Sequence, residues 1–294
     1  MKHLILPFLI LFVLDVSAQT KITYTYAIKG ADTLKLDVYT PRIINKTETL
    51  PVLLWMHGGG FTGGTKDNKD EKELCKYAAN NGYVSVSISY RLLRKGTKTG
   101  FGCDCPKQDK LNTFKQASID YLDAANYIVN NSEKLRIDTT KIIAGGSSAG
   151  AEAILNAVYM KEYFVEDLSS YDRIDFAGVF SLAGAVVNVD YITKENAIPT
   201  VLFHGTEDDL VPFGTAPHHY CDPSKPGYII LDGSETISKK LDELGGSYYF
   251  YKVIGGKHEL SSIPLDQLNT VFSFFESTVL NSEIIQTKNI ITKE

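Results

Sequence analysis

The stretch KIIAGGSSAGAEAILNAVYM, residues 141–160, decides the fold of this 294-residue chain. Its apolar start, KIIAG, predicts a strand, and a helix is expected over residues 149–160. Between them, GSSAG fits the pattern G-x-S-x-G in a strand–turn–helix context. There the serine lies at a strained turn that exposes its hydroxyl, and a Cβ on either glycine would collide with the neighbouring chain. The register selects Ser148 as the candidate nucleophile and leaves Ser147 in the variable position.

Two other roles for this turn remain open at the level of sequence. It could be a glycine- and serine-rich helix cap that binds nothing, or a phosphate-binding loop. The segment GGSSAG lacks the lysine of a P-loop and the spacing of G-x-G-x-x-G, which disfavours a nucleotide site. A nucleophile is favoured further because the N-terminus of the following helix would place a positive dipole beside developing negative charge.

Strands and helices alternate on both sides of this motif. Eight strands are predicted, at 22–28, 33–39, 51–56, 83–90, 141–145, 177–183, 199–203 and 247–254. Helices are predicted at 68–81, 113–131, 149–160, 234–245 and 265–280, and a long loop at 91–110. The pattern predicts an α/β fold with a mostly parallel eight-stranded sheet, helices on both faces and an antiparallel hairpin at its start.

The composition indicates one soluble globular domain. Hydrophobic residues make up 44% of the chain and charged residues 22%, and there is no internal repeat or linker. We expect the domain to span residues 19–281, followed by a polar, frayed tail at 282–294. The net charge of -5 and the absence of a Lys/Arg-rich run argue against a nucleic-acid partner.

The N-terminus has the form of a secretory signal peptide. Lys2 gives a short positive region, an apolar core follows, and small residues precede Gln19. We expect residues 1–18 to be cleaved off between Ala18 and Gln19, and the protein to be periplasmic or secreted. A membrane anchor is the alternative, but the apolar run is shorter than the ~20 residues that a span needs. No stable membrane insertion is therefore expected.

A glycine-rich segment, HGGGF at residues 57–61, follows a buried apolar strand. Successive glycines let the backbone approach a ligand and present N–H groups to it, as an oxyanion hole requires. We expect the donors to be Gly59 and Gly60, joined by the N–H of Ala149. A flexible turn is the alternative. His57 is expected to shape the loop through hydrogen bonds rather than to act as a base.

The loop HGTEDDLVP, residues 204–212, follows another predicted strand and offers three acidic side chains. A carboxylate at such a position can orient a histidine by accepting its Nδ1–H. Asp208 is the expected partner, with Asp209 and Glu207 as alternatives. A solvated acidic turn remains open, and His204 is expected to be structural.

The general base must follow the acid if the order along the chain is Ser…Asp…His. Only His218, His219 and His258 lie in that part of the sequence. His258 belongs to a glycine-rich loop after the last predicted strand, from which it can reach over the sheet edge. It is the expected base, and the other two histidines are expected to line the cleft.

Together these motifs resemble the α/β-hydrolase superfamily, and more closely carboxylesterases and lipases with an HGGGF motif. That group includes exported bacterial esterases that act on acylated carbohydrates. The resemblance covers roughly residues 34–275 and implies Ser148, Asp208 and His258 as a catalytic triad, with Gly59, Gly60 and Ala149 as the oxyanion hole. The stretches 95–110 and 213–230 depart from the pattern and leave the choice of substrate open.

Aromatic residues in or near the loops are candidates for contact with the substrate, although packing roles are the alternative. They are Phe61, Tyr90, Phe101, Phe213 and Tyr220. Residues 184–197 are too short for a large helical lid. An open cleft for short-acyl or aromatic-acyl esters of a bulky alcohol, such as an acylated polysaccharide, is therefore expected.

Four cysteines are present, and export favours disulfides among Cys75, Cys103, Cys105 and Cys221. The pairing cannot be read from the sequence, because four cysteines allow three full connectivities. A metal site made from the cysteines and the neighbouring histidines is an alternative, although Cys-x-Cys is not the usual zinc spacing. We expect no metal and no other cofactor.

The sequence therefore predicts a serine carboxylesterase that works through an acyl-enzyme on a small-molecule or polysaccharide ester. A serine peptidase of the same superfamily is the first alternative, and an ester assay beside a peptide assay would separate the two. A non-catalytic binding protein on the same fold is the second. An intact Ser/Asp/His set argues against it because binding alone does not require that geometry.

Overall fold

A nine-stranded sheet forms the centre of the computed structural model, which describes residues 20–42 and 48–293. The predicted signal peptide lies outside the described residues. In chain order, the strands of the molecule are β1 (Thr20–Lys29), β2 (Asp32–Thr40), β3 (Leu50–Met56), β4 (Val84–Ile88), β5 (Ile137–Ser147), β6 (Phe176–Leu182), β7 (Ala185–Val186), β8 (Thr200–Gly205), β9 (Thr215–Pro217), β10 (Ile230–Gly233), β11 (Tyr248–Ile254) and β12 (Gln286–Thr292).

The large sheet has the order β1-β2-β4-β3-β5-β6-β8-β11-β12, and β7, β10 and β9 form a small second sheet. Strand β1 pairs antiparallel with β2, and β2 pairs antiparallel with β4. The remaining neighbours, from β4 to β12, are parallel. The mostly parallel architecture and the opening hairpin are as expected from the sequence.

The sheet has nine strands rather than the eight expected, because residues Gln286–Thr292 form β12 where a frayed tail was predicted. This strand pairs with β11 along its whole length, from Tyr248↔Gln286 to Ile254↔Thr292. Six of its seven residues are exposed, so it lacks the apolar alternation that marks a half-buried strand. Its place in the sheet depends on backbone pairing with a distant segment, which local composition does not encode.

Helices cover both faces of the sheet. They are α1 (Lys69–Asn80), α2 (Lys107–Asn130), α3 (Ser132–Leu135), α4 (Ala149–Tyr159), α5 (Lys161–Phe164), α6 (Ser234–Leu244) and α7 (Leu268–Phe275), with a π-helical turn at Glu276–Leu280. Helix α2 begins at Lys107, within the stretch expected to be a loop. In the described part of the chain, no helix is long and apolar enough to cross a membrane.

The core lies in two layers because successive residues of a strand point to opposite faces. In β3, Leu54 packs into the cluster that contains residues of α2 and α4, whereas Trp55 packs into the cluster with residues of α1 and α7. Both side chains are fully buried. This double coverage explains the continuous apolar run of β3, and it leaves only the strand ends free to carry polar chemistry.

Candidate active site

The turn between β5 and α4 holds Ser148 in a strained conformation. Its φ is 50° and its ψ is −122°, a left-handed backbone that residues other than glycine rarely adopt. Its backbone N–H donates to Leu182 O on β6 at 2.8 Å, and its carbonyl accepts from Glu152 N at 2.9 Å. These contacts fix the turn, so the Ser148 side chain projects into a cavity instead of packing along the strand.

The two flanking glycines are required by close packing of the backbone. A Cβ on Gly146 would lie 2.6 Å from the carbonyl carbon of Gly150, and a Cβ on Gly150 would lie 2.2 Å from the carbonyl oxygen of Met56. Neither contact is tolerable between backbone atoms, which agrees with the steric reason inferred from the sequence. The nearby Ser147 is engaged elsewhere, because its hydroxyl donates to Ser261 O at 2.7 Å.

The structure brings Ser148, His258 and Asp208 into one hydrogen-bonded chain. The Ser148 hydroxyl lies 2.8 Å from His258 Nε2, and His258 Nδ1 lies 2.7 Å from Asp208 Oδ2. These side chains come from the ends of β5, β11 and β8, which are adjacent or near neighbours in the parallel sheet. The arrangement matches the geometry of a nucleophile, a base and an orienting carboxylate.

Asp208 is held far more firmly than the two acids beside it. Its Oδ1 accepts backbone N–H groups from Leu210 at 2.9 Å and Val211 at 3.0 Å, and the residue is 1% exposed. Burial alone would raise the pKa of Asp208, but hydrogen bonds from His204 and His258 outweigh burial and hold the pKa well below its usual value. The alternatives Glu207 and Asp209 are exposed and form no hydrogen bond or ion pair with a histidine in the described residues.

The Asp208 carboxylate also sets the basicity of His258. Burial lowers the pKa of this imidazole, but the hydrogen bond and the charge of Asp208 overcome burial and raise the pKa above its ordinary value of 6.5. A neutral imidazole can take a proton from a hydroxyl and then return it to a leaving group. The electrostatics therefore suit a proton shuttle.

The HGGGF loop lines the same cavity as Ser148. Gly59 has a φ of 116° and Gly60 a φ of 60°, and both line the same cavity as Ser148 and Ala149. Neither glycine N–H donates to another group in the described part of the chain. The N–H of Ala149 opens α4, where helical N–H groups lack intrahelical partners. Gly59, Gly60 and Ala149 therefore line the cavity, and their N–H groups have no partner in the described part of the chain.

Two further histidines at strand ends have structural contacts. Nδ1 of His57 lies 2.7 Å from Gly58 O, and its own carbonyl accepts from the Tyr90 hydroxyl at 3.0 Å. Nδ1 of His204 lies 2.8 Å from the Ser234 hydroxyl, and its Nε2 lies 3.3 Å from Asp208 Oδ2. Neither ring reaches Ser148, so each supports a loop, as the sequence suggested.

The cavity at Ser148 has a volume of about 470 Å³, within the range typical of small-molecule sites. Of the five aromatic residues expected at the cleft, only Phe101 lines it. Phe61 is fully buried and packs against Phe101 and Phe114, because its backbone turns the ring inward at the end of HGGGF.

The other three aromatic residues also lie outside the cavity lining. The Tyr90 hydroxyl donates hydrogen bonds to the carbonyl oxygens of His57 and Gly58 in the HGGGF loop. Phe213 stacks on Phe250 and contacts His204, and Tyr220 is 50% exposed on the loop surface. His218 and His219, by contrast, do line the cavity.

The cysteines form one disulfide rather than two. Cys103 is bonded to Cys221, which ties the 95–110 stretch to the 213–230 stretch, whereas Cys75 and Cys105 are buried free thiols. Among the described residues, no group of three or more His, Cys, Asp or Glu side chains could hold a metal ion.

Sequence reasoning missed two buried ionisable residues near this site. Glu152 lines the cavity and is 2% exposed, and Lys110 is fully buried beside His218. Glu152 lies four residues after Ser148 on α4, so the helical period could have placed it on the same face. Nothing in the sequence around Lys110 indicates that its ammonium is buried.

The BD-FAE family model matches residues 36–188, which is more than half of the chain. The chain belongs to the BD-FAE family. Gut esterase 1 of Caenorhabditis elegans is 31% identical to this BD-FAE protein over 173 residues, 59% of this chain and 28% of that relative. Carboxylesterase 1E of Mus musculus is 31% identical over 124 residues, 42% of this chain and 20% of that relative. The chain spans only a fifth to somewhat over a quarter of these relatives.

Among solved structures, Thermogutta terrifontis esterase 2 phosphorylated by paraoxon is similar to the BD-FAE protein, with a TM-score of 0.62 and 17% identity. The similarity covers 91% of this chain and 96% of that chain. The native form of the same esterase gives a TM-score of 0.63 at 16% identity, covering 87% and 92%. These neighbours confirm the α/β-hydrolase fold, and the family match with the relatives confirms the resemblance to α/β-hydrolase carboxylesterases.

Proposed function

We propose that this protein is a serine-dependent carboxylic ester hydrolase in which Ser148, His258 and Asp208 act as a catalytic triad. The observation that carries the proposal is the hydrogen-bonded chain from the Ser148 hydroxyl through His258 to Asp208, with distances of 2.8 and 2.7 Å. The strained turn at Ser148 supports it, because such strain is retained where the geometry is needed for chemistry. The relationship to carboxylesterases points to the same reaction.

In the first half of the proposed reaction, the Ser148 oxygen attacks the ester carbonyl carbon while His258 Nε2 takes the hydroxyl proton. Asp208 holds the opposite ring proton on Nδ1 and stabilises the imidazolium that forms. The C–O bond to the alcohol then breaks, and the imidazolium returns its proton to the leaving alkoxide. An acyl group remains on Ser148.

In the second half, His258 takes a proton from water as the water oxygen attacks the acyl carbon. The bond between that carbon and the Ser148 oxygen then breaks, the imidazolium returns its proton to the Ser148 oxygen, and the carboxylic acid is released. Both tetrahedral intermediates carry a negative oxygen. The N–H groups of Gly59, Gly60 and Ala149 are assigned to this oxygen, and loss of one such donor typically costs about 10²–10³ in kcat. The assignment is supported by the free donors of the HGGGF loop and by the dipole at the start of α4.

The proposed substrates are short-acyl or aromatic-acyl esters, such as those of acylated carbohydrates. Between Gly184 and Ala197, the described chain holds only the two-residue strand β7 and a short turn of 3₁₀ helix, so no helical lid covers the cavity from there. A cavity of about 470 Å³ without such a lid suits a small acyl group attached to an alcohol that extends into solvent.

We also propose that the catalytic domain begins at residue 19 and extends past the expected boundary at 281 to include β12, which belongs to the central sheet, and that the protein is exported after cleavage between Ala18 and Gln19. The Cys103–Cys221 disulfide supports export, since such bonds persist in oxidising compartments. Sequencing of the N-terminus of exported protein tests the cleavage. Gln19 at the N-terminus is expected, and an intact Met1 would contradict it.

The direct test of the reaction is hydrolysis of 4-nitrophenyl esters with acyl chains from acetyl to dodecanoyl by wild type and Ser148→Ala. We expect activity on the short chains and a loss on the order of 10⁶ in kcat for the variant. Wild type that is folded but inactive on the whole series would contradict the proposal. Full activity in Ser148→Ala would show that another residue is the nucleophile.

A further inference from the structure

One wall of the cavity contains two buried polar side chains that the proposed reaction does not use. Glu152 and His218 are 2% and 1% exposed, and both line the cavity together with Ser148. Glu152 lies one helical turn after Ser148 on α4, on the same face of that helix. His218 comes from a different part of the chain, on the loop that the Cys103–Cys221 disulfide anchors.

Each of these side chains has a polar atom without a hydrogen-bond partner among the described residues. The atoms are Glu152 Oε1 and His218 Nε2. They lie 3.2 Å apart, but their orientation does not give a hydrogen bond. A buried polar atom without a partner costs about 1–3 kcal/mol, so two such atoms side by side in a cavity wall form a place where a polar group of a ligand can supply the missing bonds.

The contact with Lys110 fixes the tautomer of the His218 ring. Lys110 Nζ lies 3.0 Å from His218 Nδ1, which is close enough to donate a hydrogen bond to it, although burial lowers the pKa of Lys110. Burial keeps the pKa of His218 well below its ordinary value, so the ring is neutral and bears its proton on Nε2. His218 Nε2–H is thus an unused donor, and Glu152 Oε1 next to it is an unused acceptor.

We propose that Glu152 and His218 together bind one hydroxyl group of the ester substrate and thereby determine which esters are hydrolysed. This inference rests on the proposed esterase function. A hydroxyl is the smallest neutral group that accepts one hydrogen bond and donates another, so it satisfies both atoms at once. A plain hydrocarbon at this point would leave both of them unpaired.

The charges of the wall favour a neutral hydroxyl over an ion. Burial raises the pKa of Glu152 to about 8, which keeps this carboxyl largely neutral near pH 7 and removes the main attraction for a cationic substrate. A carboxylate at the same place would lose its hydration in a buried site and find only one N–H donor. The hydroxyl can belong to the alcohol half of the ester or to its acyl half.

Two matched pairs of substrates distinguish these sources. The alcohol arm compares the monoacetate of trans-cyclohexane-1,2-diol with cyclohexyl acetate. The acyl arm compares methyl 4-hydroxycinnamate with methyl cinnamate. In one arm, we expect wild type to prefer the hydroxylated member by at least about tenfold in kcat/KM, because a site built for a hydroxyl rejects the analogue that lacks it.

Variants of the protein then test whether the preference for the hydroxylated ester comes from Glu152 and His218. Glu152→Leu should bring the kcat/KM ratio close to one, whereas Glu152→Gln, which keeps an acceptor, should retain part of it. Glu71→Leu is the matched control. Glu71 also lines the cavity and has a buried oxygen without a hydrogen-bond partner, but among the described residues no histidine lies within ion-pair distance of it, as His218 does of Glu152. It therefore lacks the donor that completes the proposed hydroxyl site, and its loss should leave the ratio unchanged.

Because each ratio compares two substrates on one variant, a partial loss of folded protein cancels. If Glu152→Leu does not fold, His218→Phe provides the same test from the other side of the wall. Hydrolysis of all four esters without a hydroxyl preference in either arm would overturn this inference and leave the proposed function intact. An equal fall of the ratio in Glu71→Leu would also overturn it. Failure of wild type on every ester would overturn the proposed function itself.

Discussion

Replacement of Asp208 by asparagine tests how His258 is oriented without changing the size of the side chain. Asp208 Oδ1 accepts two backbone N–H groups, from Leu210 and Val211, and an asparagine Oδ1 can keep both. The new NH₂ group would then face His258 Nδ1, where a carboxylate oxygen now lies at 2.7 Å. An NH₂ group cannot accept the Nδ1 proton, so the fold should persist while the orienting bond is lost.

The expected loss follows from the tautomer of the imidazole. With an amide donor opposite Nδ1, the ring proton moves to Nε2, which faces the Ser148 hydroxyl at 2.8 Å. A protonated Nε2 cannot take the proton of Ser148. A change of this kind in a serine–histidine–aspartate triad costs about 10⁴ in kcat. This corresponds to about 5 kcal/mol in the activation barrier.

The assay is hydrolysis of 4-nitrophenyl acetate, with kcat and KM measured separately for Asp208→Asn and Asp209→Asn. The Asp208 variant should lose kcat with little change in KM, because the carboxylate is not assigned a contact with substrate. Asp209 is exposed and forms no hydrogen bond with His258 in the described residues, so its replacement should change the activation barrier by no more than about 0.5 kcal/mol, which is about twofold in rate. A larger loss in Asp209→Asn, or more than about a tenth of the activity in Asp208→Asn, would refute the reasoning.

Three further predictions concern pH, the disulfide and the packing of the turn. The pKa of His258 is raised, and only the neutral imidazole accepts a proton, so kcat/KM should fall at acid pH with a midpoint above pH 6.5. A midpoint below 6.5 in a pH–rate profile would contradict this. The bond between Cys103 and Cys221 closes a loop with a sequence separation of 118, so the double variant Cys103→Ser/Cys221→Ser should lose about 2–5 kcal/mol in free energy of unfolding by urea titration. An unchanged unfolding midpoint would show that the bond adds no stability. Gly150→Ala places a Cβ 2.2 Å from Met56 O, so it should destabilise the fold by at least about 1–3 kcal/mol, and a wild-type melting temperature would argue against the packing described.

The fold was predictable where local patterns and long-range pairing agree. The apolar run of β3 and the strand–turn–helix at Ser148 carry their structure in a few neighbouring residues, and both occur as expected. Strand β12 was not predictable because six of its seven residues are exposed and its order comes from pairing with β11. Composition alone does not encode such a partner.

The candidate site also has one part that the sequence predicts and one part that it does not. Ser148, His258 and Asp208 follow strands at recognisable turns, and the sheet brings the strand ends together. The cavity wall depends on which loop side chains turn inward. Phe61 and Tyr90 are used for packing and for support of the HGGGF loop, whereas Glu152 and His218 line the cavity. That choice is made by tertiary contacts and by the Cys103–Cys221 bond, which the sequence does not specify.

The measurement that tests the central claim most directly is covalent trapping of the nucleophile with paraoxon, followed by fragmentation mass spectrometry of the labelled peptide. The account predicts a diethylphosphoryl group on Ser148, release of 4-nitrophenol in equal amount, and no label in Ser148→Ala. Ser147 should stay unmodified, because its hydroxyl is bonded to Ser261 O at 2.7 Å. A label on Ser147 or on any residue other than Ser148, or a folded wild type that takes up no label, would contradict the account.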